Sequence, residues 1–153
     1  MSKKFTRSTK ETKIKTSVKI YGNGKAKINT GIQYLNHMLE IFSFHSLIDI
    51  KLKAEGDVKV DFHHTIEDCG YVLGNSIKKA LGDKRGINRY GFYYTPMDEC
   101  LSRSAVDFSG RSELVWDVKL GLKKIGSMDT ELFEEFFKAF SKSSEINLHI
   151  KNL

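Results

Sequence analysis

The chain has 153 residues, 40% of them hydrophobic, with one proline and a formal net charge of +6. That length holds one domain, or two small halves sharing a core. The lysines lie among acids, as in KETKIK and KLKAEGDVK, with no interleaved aromatics, and this argues against a nucleic-acid binder. No apolar run reaches membrane-spanning length, and the start MSKKFTRSTKE has no secretory apolar core. Cys69 and Cys100 match no CxxC spacing, so a reducing cytoplasm is the expected compartment.

In chain order, Phe5 to Ile20 is polar and β-branched with partial alternation and reads as a strand. Tyr21-Gly22-Asn23-Gly24 turns it, and Lys25 to Asn29 returns. Thr30 is placed to cap a helix with Ile32, Leu35, Leu39 and Phe42 on one face. Leu47 to Ala54 alternates as a half-buried strand. Glu55-Gly56-Asp57 turns the chain, and Val58 to Phe62 leads into a helix with apolar Ile66, Leu73, Ile77 and Leu81, stopped by Gly82.

That helix opens on His63 and His64, with Glu67 one turn after His63. Positions i and i+4 share a face, so His63 and Glu67 can hold one metal ion. Position i+1 points about 100° away, so His64 serves a second metal or a substrate contact. Imidazole plus carboxylate suits Mn, Fe, Ni, Co or Zn better than Mg or Ca. The plainer alternative is a surface pair capping a helix.

The order then repeats: strands at Tyr90–Tyr94, Cys100–Phe108 and Glu113–Val118, a Gly/Lys loop at Lys119–Ser127, a helix capped by Asp129 or Thr130, and a strand over Glu145–Lys151. A shift of 88 lays Glu11 on Glu99, Val18 on Val106 and Gly22 on Gly110. A shift of 98 lays Phe42 on Phe140, Ser43 on Ser141 and His37 on Glu135. This predicts an internal duplication. The fold class is α+β, two-layered, with duplicated ββαββα halves in the manner of the ribosomal protein S5 domain 2-like fold. Residues 1–88 form the first half; residues 89–153 form the second, lacking its last strand and helix.

The blocks LNHMLEIFSFH, HHTIEDCGYVLGNSIKKALGDKRGINRYG, PMDECLSRSAVDFSGR and TELFEEFFKAF resemble the imidazoleglycerol-phosphate dehydratase family across essentially the whole chain. The resemblance implies a hydro-lyase of histidine biosynthesis that converts imidazole glycerol phosphate to imidazole acetol phosphate. It implies a homo-oligomer of twenty-four subunits with dinuclear Mn2+ sites at subunit interfaces. Carried over by position, His37 and His64 bind one metal, and His63 with Glu67 the other; Glu135 is a weaker ligand. Glu11 moves the proton, with His63 and Glu67 in the catalytic set. Arg89 and Arg111 hold the phosphate with guanidinium forks, and His45 lines the substrate pocket beside His37 and His64. Phe62 stands where the family usually has an acid, and Asn36 often reads as Asp there; both bear on ligand orientation. The family's second His-His-x-x-Glu helix falls beyond Leu153, so a catalytically impaired chain that only binds metal or assembles is the alternative reading.

Overall fold

The stretch Phe5–Ile20 folds as two strands. In the computed structural model, which describes residues 1–153, β1 (Lys3–Ser8) and β2 (Thr12–Lys19) form an antiparallel hairpin. The Thr9 hydroxyl turns the chain by accepting the N–H groups of Glu11 and Thr12 at 3.2 and 2.9 Å. A threonine turn inside a run of Thr, Ser and Lys leaves no break in composition, which is why one long strand is the reading from sequence.

β3 (Ala26–Asn29), α1 (Gln33–Ser46), β4 (Asp49–Gly56) and α2 (His63–Leu81) complete the first half. Contrary to expectation, Thr30 does not cap α1: the cap position falls to Ile32, and Thr30 instead shapes the turn before it. Its hydroxyl accepts the Ile32 N–H at 3.1 Å and donates to Asn36 Oδ1 at 2.7 Å. Val58–Phe62, counted as a strand in the expected ββαββα order, is a turn in which the Val60 N–H reaches the Asp57 carbonyl at 2.7 Å. The observed unit is therefore βββαβα.

The second half comprises β5 (Tyr90–Met97), β6 (Cys100–Asp107), β7 (Glu113–Asp117), a small hairpin of β8 (Lys124–Ile125) and β9 (Met128–Asp129), α3 (Leu132–Ser144) and β10 (Asn147–Asn152). Sheet A has order β1-β2-β4-β3 and sheet B has order β5-β6-β10-β7. The registers repeat residue for residue. Phe5↔Thr16 becomes Tyr93↔Ser104, Thr16↔Leu52 becomes Ser104↔Ile150, and Ile28↔Leu52 becomes Trp116↔Ile150. Those are the offsets of 88 and 98 read from the sequence. Both sheets have four strands, so the expected missing strand is corrected: only α2 lacks a counterpart.

α2 lies between sheet A and α3. Ile66, Cys69, Val72, Leu73 and Ile77 are buried with Ile14, Val18, Ile50 and Leu52 from the sheet, and with Leu132 and Phe136 from α3. Burial on two sides explains why small residues recur on α2. A Cβ at Gly70 would overlap the Phe136 carbonyl oxygen, and one at Gly74 would lie 2.6 Å from the Phe140 carbonyl oxygen. No helix is long and apolar enough to cross a membrane.

Candidate metal and phosphate sites at opposite ends of helix α2

The first turn of α2 presents its ligand candidates as two pairs. Asp61 Oδ1 accepts the His63 N–H at 2.8 Å and so caps the helix, a job Phe62 cannot do. His63 Nε2 lies 3.7 Å from Glu67 Oε2, and both side chains are about half exposed, at 45% and 48%. The i, i+4 argument from the sequence is met in this pair. The His64 ring centroid lies 6.0 Å from that of His63, the two rings meeting edge to face with an interplanar angle of 81°.

His64 has a partner the sequence did not disclose. Its Nδ1 lies 2.9 Å from Asp57 Oδ2. With the carboxylate accepting, Nδ1 carries the proton and the Nε2 lone pair is left free, the arrangement by which a carboxylate orients a metal-binding imidazole. Asp57 belongs to the turn after β4, seven residues before His64, so no helical spacing pointed to it. Its hydrogen bond is the chief cause that raises the His64 pKa above the usual histidine range, aided by the charges of Asp57, Asp61 and Glu11 and opposed by burial.

The turn that carries Glu11 is tied to the same helix end. It sits exposed in the β1–β2 turn, next to Thr12. The buried Thr12 hydroxyl donates to Asp68 Oδ2, and Arg7 Nε donates to Asp68 Oδ1 at 2.7 Å. Asp68 follows Glu67 directly, so one buried carboxylate ties the Glu11 turn to the turn of α2 that bears the histidines. Replacing Asp68 with Ala strands a buried hydroxyl and a half-buried guanidinium. We expect a loss of about 2 kcal/mol, discounted for the exposure of Arg7, in urea unfolding. An unchanged unfolding midpoint would remove the tie.

No three His, Cys, Asp or Glu side chains converge into a metal-binding group within the chain. His37 on α1 is exposed and completes neither pair. His45 is exposed in the last turn of α1 with its ring against Phe44. Glu135, in the first turn of α3, lies 3.8 Å from Lys138.

The arginines lie elsewhere. Arg89 grips Asp107 through both arms of its fork, at 2.6 and 3.1 Å, and its guanidinium lies over Tyr90. That bond is the main cause lowering the Asp107 pKa, with the charges of Arg89 and Arg111 adding to it. Arg89 alone pairs with Asp107, and Arg111 reaches that carboxylate only through its charge. The Gly110–Arg111 turn sits beside the last turn of α2: the Gly110 N–H bonds the Glu145 carbonyl at 3.1 Å, and Lys78 Nζ meets Glu145 Oε1 at 2.5 Å. At 1.5 Å per residue, the rise of α2 from His63 to Lys78, beside this group, is about 22 Å.

The comparisons with known proteins agree with this architecture. A family model described as imidazoleglycerol-phosphate dehydratase matches residues 30–153. The imidazoleglycerol-phosphate dehydratase of Clostridium botulinum (strain Alaska E43 / Type E3) is 51% identical over 150 residues, covering 98% of this chain and 77% of that protein. That of Acetivibrio thermocellus is 50% identical over 155 residues, covering 100% and 80%. Among solved structures, the Staphylococcus aureus enzyme superposes with a TM-score of 0.89 at 38% identity, covering 100% of this chain and 84% of that one. The Pyrococcus furiosus enzyme in complex with (S)-C348 gives 0.82 at 30% identity, covering 97% and 79%. The fold, the duplicated register and these relatives together show that the chain belongs to the imidazoleglycerol-phosphate dehydratase family of hydro-lyases.

Proposed function

We propose that this chain dehydrates imidazole glycerol phosphate to imidazole acetol phosphate, in histidine biosynthesis in the cytoplasm, at a dinuclear manganese site shared between subunits of a homo-oligomer. The observation that carries the shared site is the distance along α2. The ligand pairs and Glu11 stand at one end and Arg89 with Arg111 at the other, too far apart for one small substrate to touch both within a chain. A neighbouring subunit's arginines against the histidine end meet that requirement, and its His37 or Glu135 can fill the open positions beside His63–Glu67 and His64.

The donors fit such ions. Two imidazoles, a carboxylate at 3.7 Å and an orienting Asp57 behind His64 make a nitrogen–oxygen set suited to Mn. Ions held there would supply positive charge to the ring nitrogens, so the imidazole could stabilise loss of the hydroxyl from the carbon next to the ring. Glu11 is the group that takes the proton from the next carbon along the side chain, so that proton and hydroxyl leave as water and the enol formed tautomerises to the ketone; the turn that bears Glu11 is held by the Thr12–Asp68 tie. Arg89 and Arg111 hold the phosphate, Arg89 exchanging Asp107 for it.

Two measurements test the reading. Chelation abolishes formation of imidazole acetol phosphate, and Mn2+ restores it. Independently, manganese titration by calorimetry shows Asp57→Ala binding roughly 10- to 100-fold more weakly, the usual cost of losing an orienting carboxylate. Equal affinity in the variant sinks the role given to Asp57, and metal-independent turnover sinks the site.

One observation favours a second reading, a scaffold that binds metal without turnover. The inner face of sheet B carries no equivalent of α2: Tyr93 is 73% exposed, and Ser102 and Ser104 are exposed where Phe5, Ile14 and Thr16 are covered in sheet A. Adding in trans a peptide that spans the relatives' remaining length separates the two. Turnover that appears only with the peptide supports a split enzyme; binding of the peptide without turnover supports the scaffold.

A further inference from the structure

Lysines that are dispersed in the sequence are gathered by the pleat of sheet A. Alternate residues of each strand face away from the helices. The register aligns Lys4, Ser17, Lys51 and Lys27 in one row across the four strands, and Thr6, Lys15, Lys53 and Asn29 in the next. Five lysines thus occupy two adjacent rows. They line a shallow open hollow of about 460 Å³. Lys15 stands directly opposite Lys53, and Lys27 opposite Lys51, cross-strand pairs that repel one another in water. The acids on this face are at its margins. Glu55 is held by Lys53 at 2.7 Å, and Asp49 accepts the N–H groups of Asn23 and Lys25. The other four lysines make no ion pair.

Sheet B supplies an internal control. The equivalent rows read Phe92, Ala105, His149, Val115 and Tyr94, Arg103, Lys151, Asp117, with Lys151 bound to Asp117 at 2.6 Å. The same frame closes without a lysine array, so the array is not a requirement of the fold.

In place of the expectation drawn from lysines dispersed along the chain, we propose that this face of sheet A, where the register gathers them, binds the phosphate backbone of single-stranded nucleic acid without reading its bases. The two rows measure about 14 Å by 7 Å, a width for one sugar–phosphate strand. Lysine offers point charges, and no aromatic side chain stands in the two rows to stack a base. A second copy docked face to face would set lysine on lysine, and a lipid surface would find no apolar residue among the rows to insert. The face lies across the sheet from the helices, so binding there is separate from the proposed dehydratase site.

Fluorescence anisotropy of a labelled oligo-dT strand with the full chain tests this. Affinity falls with salt, with a log–log slope near −3.5 for five neutralised phosphates. The Lys15→Glu/Lys51→Glu chain binds at least 10-fold more weakly. A Lys15→Gln/Lys51→Gln chain, milder for folding, lowers the slope by roughly 0.7 per lysine. Lys119→Glu/Lys123→Glu, exposed in the second half, matches the charge change and leaves affinity within twofold. An equal loss in that control overturns the proposal, because net charge alone then explains binding. So does tighter binding to a duplex of the same length, or to phosphatidylserine vesicles.

Discussion

Gly70→Ala and Gly74→Ala each lower the free energy of unfolding by about 2–3 kcal/mol, and together separate α2 from α3. Helix propensity alone predicts the opposite, since alanine is favoured over glycine by about 1 kcal/mol in a helix interior. Packing decides the sign. The new methyl at position 70 meets a backbone carbonyl, that of Phe136, which has no rotamer to escape into. At position 74 it meets Ser143 Oγ and the Phe140 carbonyl together. The helices must move apart, loosening the shared core of Cys69, Leu73, Leu132 and Phe136. For a chain of this size the loss lowers the melting temperature by roughly 5–10 °C, read by circular dichroism. A stability gain in either variant would mean that α2 and α3 do not approach as described.

The second large effect is on turnover. Glu11→Gln removes the proposed proton acceptor at the histidine end, and Arg111→Ala removes a proposed phosphate holder at the other. Each lowers kcat/KM roughly 100-fold or more relative to the unsubstituted chain. When the two variants are dissociated, mixed and reassembled with Mn2+, activity returns. Random pairing leaves about a quarter of the heterologous interfaces with both ends intact. Recovery requires that Glu11 and Arg111 of one site come from different chains. If the mixture stays as inactive as its parts while the unsubstituted chain turns over, the site lies within one chain and the argument from the length of α2 fails.

Much of this was legible from local pattern. The i, i+4 placement of His63 and Glu67 follows from helical geometry, and the structure keeps it. The offsets of 88 and 98 reappear as the pairing registers of two sheets, because register follows the alternation of inward and outward side chains. The strand boundaries were less legible. The Thr9 turn looks like more strand because it lies in a run of Thr, Ser and Lys, and Val58–Phe62 looks like a strand because two valines and a phenylalanine mask the turn.

The sequence by itself determined the duplicated halves, the amphipathic helices and the divergent histidine pair, since each rests on spacings of a few residues along one backbone. Only the tertiary structure decided that Asp57 orients His64, that Asp68 ties the Glu11 turn to α2, that the arginines stand a helix length from the histidines, and that five dispersed lysines share one face. Those relations join residues from 7 to 61 positions apart or from different strands. They are set by how the sheets and helices pack, and no short-range periodicity encodes that.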